Sequence, residues 1–175
     1  MRRRVWNSHK AFKEYLKIMD YFPIALKIKK KLVVVAGGGG VAQRKISKLL
    51  EAGAKVRVVS PTLTKKLQWL LKKKLIKWRP QKIKKSDIKQ ARLVIAATND
   101  VSVNKKVSSW CKKSKIAINV VDKPVLSNFI SPALLRAKKA LIAVYTDGKD
   151  PILSRDLKNY IKERWNDFLS YRNKL

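Results

Sequence analysis

The feature that most limits what this chain can fold into is a run of four glycines, Gly37-Gly38-Gly39-Gly40, between Leu32-Val-Val-Val-Ala36 and Val41–Ala52. The first segment is short, uninterrupted and largely β-branched, the pattern of a strand buried on both faces. The second places Val41, Ala42, Ile46, Leu49 and Leu50 at helical spacing and stops at Gly53, a natural left-handed terminator. Glycine loses more conformational freedom on folding than any other residue, so four in succession are costly for a turn that needs one or two. With strand before and helix after, the spacing Gly37-x-Gly39-x-x-Ala42 meets the context of a dinucleotide-binding fingerprint. Gly37 then permits the tight turn, Gly39 lets backbone amides approach a pyrophosphate, and Ala42 lets the helix pack closely. The helix N-terminus adds a favourable potential for phosphate.

The alternation continues. Lys55-Val-Arg-Val-Val59 reads as a second strand, and Ser60-Pro61-Thr62 as the cap of a helix running to about Lys73. Leu75–Trp78, Leu93–Ala97 and Ile116–Val121 read as three more strands, with a helix after Asn99 that turns Val103, Val107 and Trp110 inward. Strands separated by helices predict an α/β, doubly wound parallel sheet of Rossmann type. After Asp122 the rhythm changes. Phe129–Arg136 and Ala140–Thr146 read as a hairpin joined through Ala137-Lys138-Lys139, and Asp150-Pro151 opens a final helix. The expected organisation is a basic extension (1–20), a dinucleotide-binding domain (21–122), a hairpin segment (123–148) and a short helical module (149–175). The apolar runs Phe129-Ile130 and Ala133-Leu134-Leu135 need cover, which a homodimer would supply.

Charge decides which partners suit such a fold. Lys and Arg number 43 against 11 Asp and Glu, a formal net charge of +32, so acidic partners are favoured. One cysteine, Cys111, and one histidine, His9, exclude an internal disulfide framework and a zinc site of the Cys/His type. No apolar stretch approaches the roughly 20 residues of a membrane span, and a soluble cytoplasmic protein with no membrane partner is expected. Residues 64–89 carry ten Lys and one Arg against a single Asp, with Trp69 and Trp78 interleaved. The lysines are expected on an exposed helix face and both tryptophans in the core, leaving only non-specific nucleic-acid binding.

The strand ends supply the remaining candidates. Ser60 stands where a carboxylate would hold a ribose; with Arg57, Lys65 and Lys66 nearby, NADP stays open beside NAD. Thr98 and Asn99 are placed either to bond ribose or to cap the next helix. Asp122, in Asn119-Val-Val-Asp122-Lys123-Pro124, either faces the crevice beyond the strand ends or begins a turn before Pro124.

Taken in order, Tyr21-Phe-Pro-Ile-Ala-Leu, Gly37-Gly-Gly-Gly-Val-Ala-Gln-Arg-Lys45, Leu49-Leu-Glu-Ala-Gly-Ala54, Val59-Ser-Pro61, Ile95-Ala-Ala-Thr-Asn-Asp100, Asn119-Val-Val-Asp122 and Phe129-Ile-Ser-Pro132 resemble the precorrin-2 dehydrogenase family, including the dehydrogenase/ferrochelatase module of sirohaem synthases. The resemblance runs from about Met19 to Arg155. It implies NAD-dependent oxidation of precorrin-2 to sirohydrochlorin and, in some members, insertion of Fe²⁺ (Co²⁺ being the other candidate metal) at the same site. It implies cofactor contacts at Gly40, Val41, Pro61 and Thr62, and makes Asp122 the essential aspartate, the general base and the candidate metal ligand. Members use NAD without a strand-end carboxylate, which bears on Ser60. For the carboxylate-rich tetrapyrrole, Arg44, Lys45, Asn119, Lys123 and Arg136 are candidate contacts. The chain departs from the family at Lys138, where some members carry serine. It departs again at Tyr145–Pro151, usually a run of small residues, and in a short C-terminal helical module, which implies a less enclosed tetrapyrrole.

Overall fold

In a computed structural model that describes residues 20–121, 123–137 and 140–173, the chain divides into two compact units, residues 25–131 and residues 20–24 with 132–173. The expected extension at 1–20 lies almost wholly outside the described residues, as do Asp122 and Lys138.

The larger unit holds five parallel strands: β1 (Leu32–Ala36), β2 (Lys55–Val59), β3 (Ile76–Arg79), β4 (Leu93–Ala96) and β5 (Ala117–Val120), in the order β3-β2-β1-β4-β5. Helices α1 (Gly40–Glu51) and α2 (Lys65–Lys72) cover one face, and α3 (Val101–Lys113) the other. This is the doubly wound sheet that the alternation predicts. Val33, Val35 and Ile95 pack with Ala42 and Ile46 of α1 and with Leu67 and Leu70 of α2. Val34, Ala36, Val94 and Ile118 point the other way, onto Val107 and Cys111 of α3. Burial pushes the Cys111 thiol up to about 12, so it behaves as a small apolar group. The strand order reverses between β1 and β4, which places a crevice at the carboxyl ends of those two strands.

All three helices of this unit stop in the same way. At Gly53, Lys74 and Lys115 the backbone turns left-handed (φ 72°, 57° and 53°). Each of these residues donates its N–H to the carbonyl three residues back. The next residue then reaches five back, as in Ala54 to Leu49 (3.0 Å), Leu75 to Leu70 (3.0 Å) and Ile116 to Cys111 (2.9 Å). Only the first terminator is a glycine.

Some expectations are corrected here. Helix α2 is capped by Thr64, whose side chain accepts the Leu67 N–H (3.3 Å), and not by Ser60-Pro61-Thr62. Trp69 is not in the core: it is 53% exposed, with the Lys73 ammonium 6.0 Å from its ring centroid. Trp78 is half-buried and donates to the Ser60 carbonyl (2.9 Å). Phe129 is not a strand residue; it packs against the core of the larger unit.

In the smaller unit, β6 (Ala133–Ala137) and β7 (Ala140–Val144) form the expected antiparallel hairpin. Asp150 caps the following helix through the Leu153 N–H (2.8 Å), with Pro151 in its first turn. That helix breaks at Arg164 into α4 (Pro151–Glu163) and α5 (Trp165–Arg172). Asp147 accepts the backbone N–H groups of Asp20 and Tyr21 and pairs with Lys149, which together hold its carboxyl below the usual range.

Candidate active site

The glycine run sits at the crevice, and its four members do different work. Gly37 has φ 116°, and a side chain there would run into the Ala97 carbonyl, where the turn crosses the end of β4. Its N–H donates to the Val59 carbonyl (3.0 Å), which ties the turn to the end of β2. A Cβ at Gly38 would collide with the Thr62 carbonyl and stand 2.7 Å from the Ser60 hydroxyl. These two glycines are demanded by the fold itself. Gly39 and Gly40 are exposed, and a Cβ at either would meet nothing within 4 Å. Packing gives no reason for glycine at those two positions; a ligand that must lie against the backbone does.

The helix end agrees. Gly39 is the N-cap of α1, with extended backbone and no side chain to cap it, and the first turn holds no acidic residue. The leading amides of α1 therefore face the crevice without an internal side-chain acceptor, as a phosphate site requires. Ala42 is fully buried, so the close packing of helix on sheet is realised. Val41 is half-exposed in that same first turn. An open backbone cradle beside uncapped amides fits a dinucleotide.

Around this cradle the strand-end residues sort themselves. Ser60 is buried, and its hydroxyl donates to the Thr62 carbonyl (2.6 Å) within its own turn. Pro61 and Thr62 are exposed at the rim beyond β2. Thr64 ties the rim down: its N–H donates to the Gly38 carbonyl (3.0 Å) and its hydroxyl to the Gln43 side chain (2.7 Å). Arg57 lies within β2 and reaches the Asp87 carbonyl (3.5 Å), while Lys65 and Lys66 are exposed at the start of α2. The Thr98 hydroxyl is engaged by Asn104 (2.8 Å), whose amide donates back to the Thr98 carbonyl (2.9 Å). Neither Thr98 nor Asn99 caps α3. Asp100 does, accepting the N–H groups of Ser102 (2.8 Å) and Val103 (3.1 Å), and the Val103 bond leads in holding its carboxyl below the usual range. Asn99 is exposed at the rim.

Asn119 of β5 is buried and donates its amide to the Phe129 carbonyl (3.1 Å), leaving Oδ1 buried without a partner among the described residues. Flipping the amide would set two carbonyl oxygens face to face, so the contact with Phe129 fixes its orientation. Arg44 and Lys123 are exposed, Lys45 is half-buried, and Arg136 is exposed on β6 of the other unit. Asp122 lies outside the described residues, between Val121 and Lys123 at the carboxyl end of β5. Among the described residues, no three His, Cys, Asp or Glu side chains converge as a metal site, and no helix is long and apolar enough to cross a membrane.

Sequence reasoning missed Thr64 and Gln43, which tie the rim to the Gly38 carbonyl and to α1.

Residues 24–133 match the family model described as "Putative NAD(P)-binding". The chain belongs to this NAD(P)-binding family. Over 144 residues it is 40% identical to a siroheme synthase of Thioalkalivibrio sulfidiphilus, covering 82% of this chain and 29% of that protein. A siroheme synthase of Nitrosomonas europaea is likewise 40% identical over 145 residues, 82% of this chain and 30% of the relative. The chain thus spans about 30% of the length of these curated relatives. Among solved structures it is similar to SirC, a precorrin-2 dehydrogenase, with TM-score 0.71 and 28% identity over 82% of this chain and 71% of that one. The resemblance to precorrin-2 dehydrogenases drawn from the ordered motifs is borne out.

Proposed function

We propose that this chain oxidises precorrin-2 to sirohydrochlorin with NAD⁺, using Asp122 as the general base. The observation that carries the reading is the division within the glycine run, where Gly39 and Gly40 open onto uncapped helix amides in a chain similar to SirC. NAD⁺, when bound, supplies the hydride acceptor. The first-turn amides of α1 would hold its pyrophosphate, and Pro61, Thr62 and Asn99 are the exposed strand-end residues that would meet the rest of it. Removal of a hydride and a proton takes two electrons from the macrocycle, and the Asp122 carboxylate receives the proton. Arg44, Lys45 and Lys123 are the cations of the larger unit that we assign to the substrate's carboxylates, attracted over distance by the net charge of +32. Asn119 completes the set as a polar group of β5.

The experiment is turnover by Asp122→Ala beside NAD⁺ affinity by calorimetry. The expected outcome is lost turnover with NAD⁺ affinity within a few-fold of the parent; unchanged turnover removes Asp122 from the mechanism. Repeating the assay with NADP⁺ decides between the cofactors, and adding Fe²⁺ or Co²⁺ tests whether metal insertion follows oxidation.

A further inference from the structure

The segment that leaves β5 folds back along it, and side chains there do what a sixth strand would do. Asn128 donates its backbone N–H to the Ile118 carbonyl (2.9 Å), accepts the Ile118 N–H on Oδ1 (2.7 Å) and donates Nδ2 to the Ile116 carbonyl (3.3 Å). Asn119 donates to the Phe129 carbonyl from the other direction (3.1 Å). An edge strand ordinarily presents these groups to solvent or to another chain; here they are taken up internally.

Ser127 does something more specific. Its hydroxyl is buried and accepts the Val120 N–H (2.9 Å), with the Lys123 carbonyl at 3.3 Å and the Val120 carbonyl at 3.4 Å as acceptors for its proton. One hydroxyl therefore engages the backbone on both sides of position 122, two residues before it and one after. The loop is tightened further by Leu126 N–H to the Lys123 carbonyl (3.1 Å) and Ser127 N–H to the Pro124 carbonyl (2.8 Å). Ser108 of α3 also donates to the Leu126 carbonyl, clamping the loop to the helix behind it. The buried Ser127 hydroxyl thus satisfies its hydrogen bonds on the two backbone segments that flank position 122.

We infer that Ser127 is a positioning residue for Asp122, because its hydroxyl fixes the Val120 and Lys123 backbone that flanks the base. This rests on the reading of Asp122 as the base. Loss of the hydroxyl lets that backbone relax, and proton removal slows while cofactor binding, carried by the glycine turn, does not change.

The test compares Ser127→Ala and Ser127→Thr in the full chain. Ser127→Ala is expected to lower kcat about ten-fold with the KM and Kd for NAD⁺ within two-fold of the parent, and Ser127→Thr to recover most of the rate. In an Asp122→Ala background, Ser127→Ala is expected to leave the residual rate unchanged, because the group it positions is gone. Hydrogen exchange gives a readout independent of turnover: amides 120–123 should exchange at least ten-fold faster in Ser127→Ala while those of β1 and α1 do not change. A full rate in Ser127→Ala, a parallel loss of NAD⁺ affinity that threonine does not rescue, or unchanged exchange at 120–123 overturns the inference. A parent protein that binds NAD⁺ but does not oxidise the tetrapyrrole refutes the functional reading instead, and the exchange experiment still decides the clasp.

Discussion

Replacing Gly40 by alanine should move stability and cofactor binding in opposite directions. Gly40 is the first residue of α1, its φ is not left-handed, and a Cβ there meets no atom within 4 Å. Alanine at such a position restricts the unfolded chain and favours the helix, a gain of about 0.4–1 kcal/mol. For a chain of this size that is a rise of roughly 1–4 °C in Tm. The same methyl group occupies the open side of the cradle. Loss of one amide-to-phosphate bond costs about 1.5–3 kcal/mol, so the Kd for NAD⁺ should rise about 10- to 150-fold. Gly37→Ala provides the contrast: with φ 116° and the Ala97 carbonyl in the way, it should destabilise by at least about 2 kcal/mol. The assay is thermal unfolding without ligand, paired with calorimetric titration of NAD⁺. If Gly40→Ala binds NAD⁺ as the parent does, the open glycines are not the cofactor cradle and the reasoning fails.

Three further outcomes follow from the same structure. Lys74 and Lys115 sit at left-handed helix ends, so Lys74→Gly and Lys115→Gly should each stabilise by up to about 1 kcal/mol in denaturant unfolding. Asp87 is buried and, against burial that would raise its pKa, is held below the usual carboxylate range by the Lys84 N–H, Arg79 and Gln81. Because its folded pKa is depressed, its contribution is present above about pH 4 and drains away as pH falls through the folded value. Asp87→Ala should therefore cost about 2–4 kcal/mol at pH 7, and the deficit should shrink in acid melts. Finally, Leu141, Ile152, Leu153, Tyr160 and Phe168 of the smaller unit are exposed, and we propose that a second copy of the chain covers them. Light scattering at micromolar concentration should then give a dimer mass, and Leu153→Asp should shift it toward the monomer.

The parallel sheet was legible because its strands are buried on both faces and therefore read as continuous apolar runs, each followed by turn residues. Helix α1 was legible at both ends because glycine marks them. The end of α2 was legible near Lys73, although at Lys74, as at Lys115, it is lysine that carries the left-handed turn, where tertiary packing outweighs a local strain of a kcal/mol or so. The caps went astray for a related reason. Ser60, Thr62 and Thr64, like Thr98, Asn99 and Asp100, offer several oxygens within a few residues. Which one meets the free amides depends on where the chain turns, not on its composition. Trp69 was misplaced because a helix of eight residues has room for only two or three inward positions, and Leu67 and Leu70 fill them. The Ser127–Asn128 clasp carries no periodic signal at all, because it replaces a strand with side chains.

The most direct test of the central claim is the absorbance spectrum of the full chain mixed with NAD⁺ and precorrin-2. Conversion to the sirohydrochlorin spectrum is expected, with stoichiometric appearance of NADH that depends on the protein. NAD⁺ bound at the glycine turn with the tetrapyrrole spectrum unchanged would contradict it.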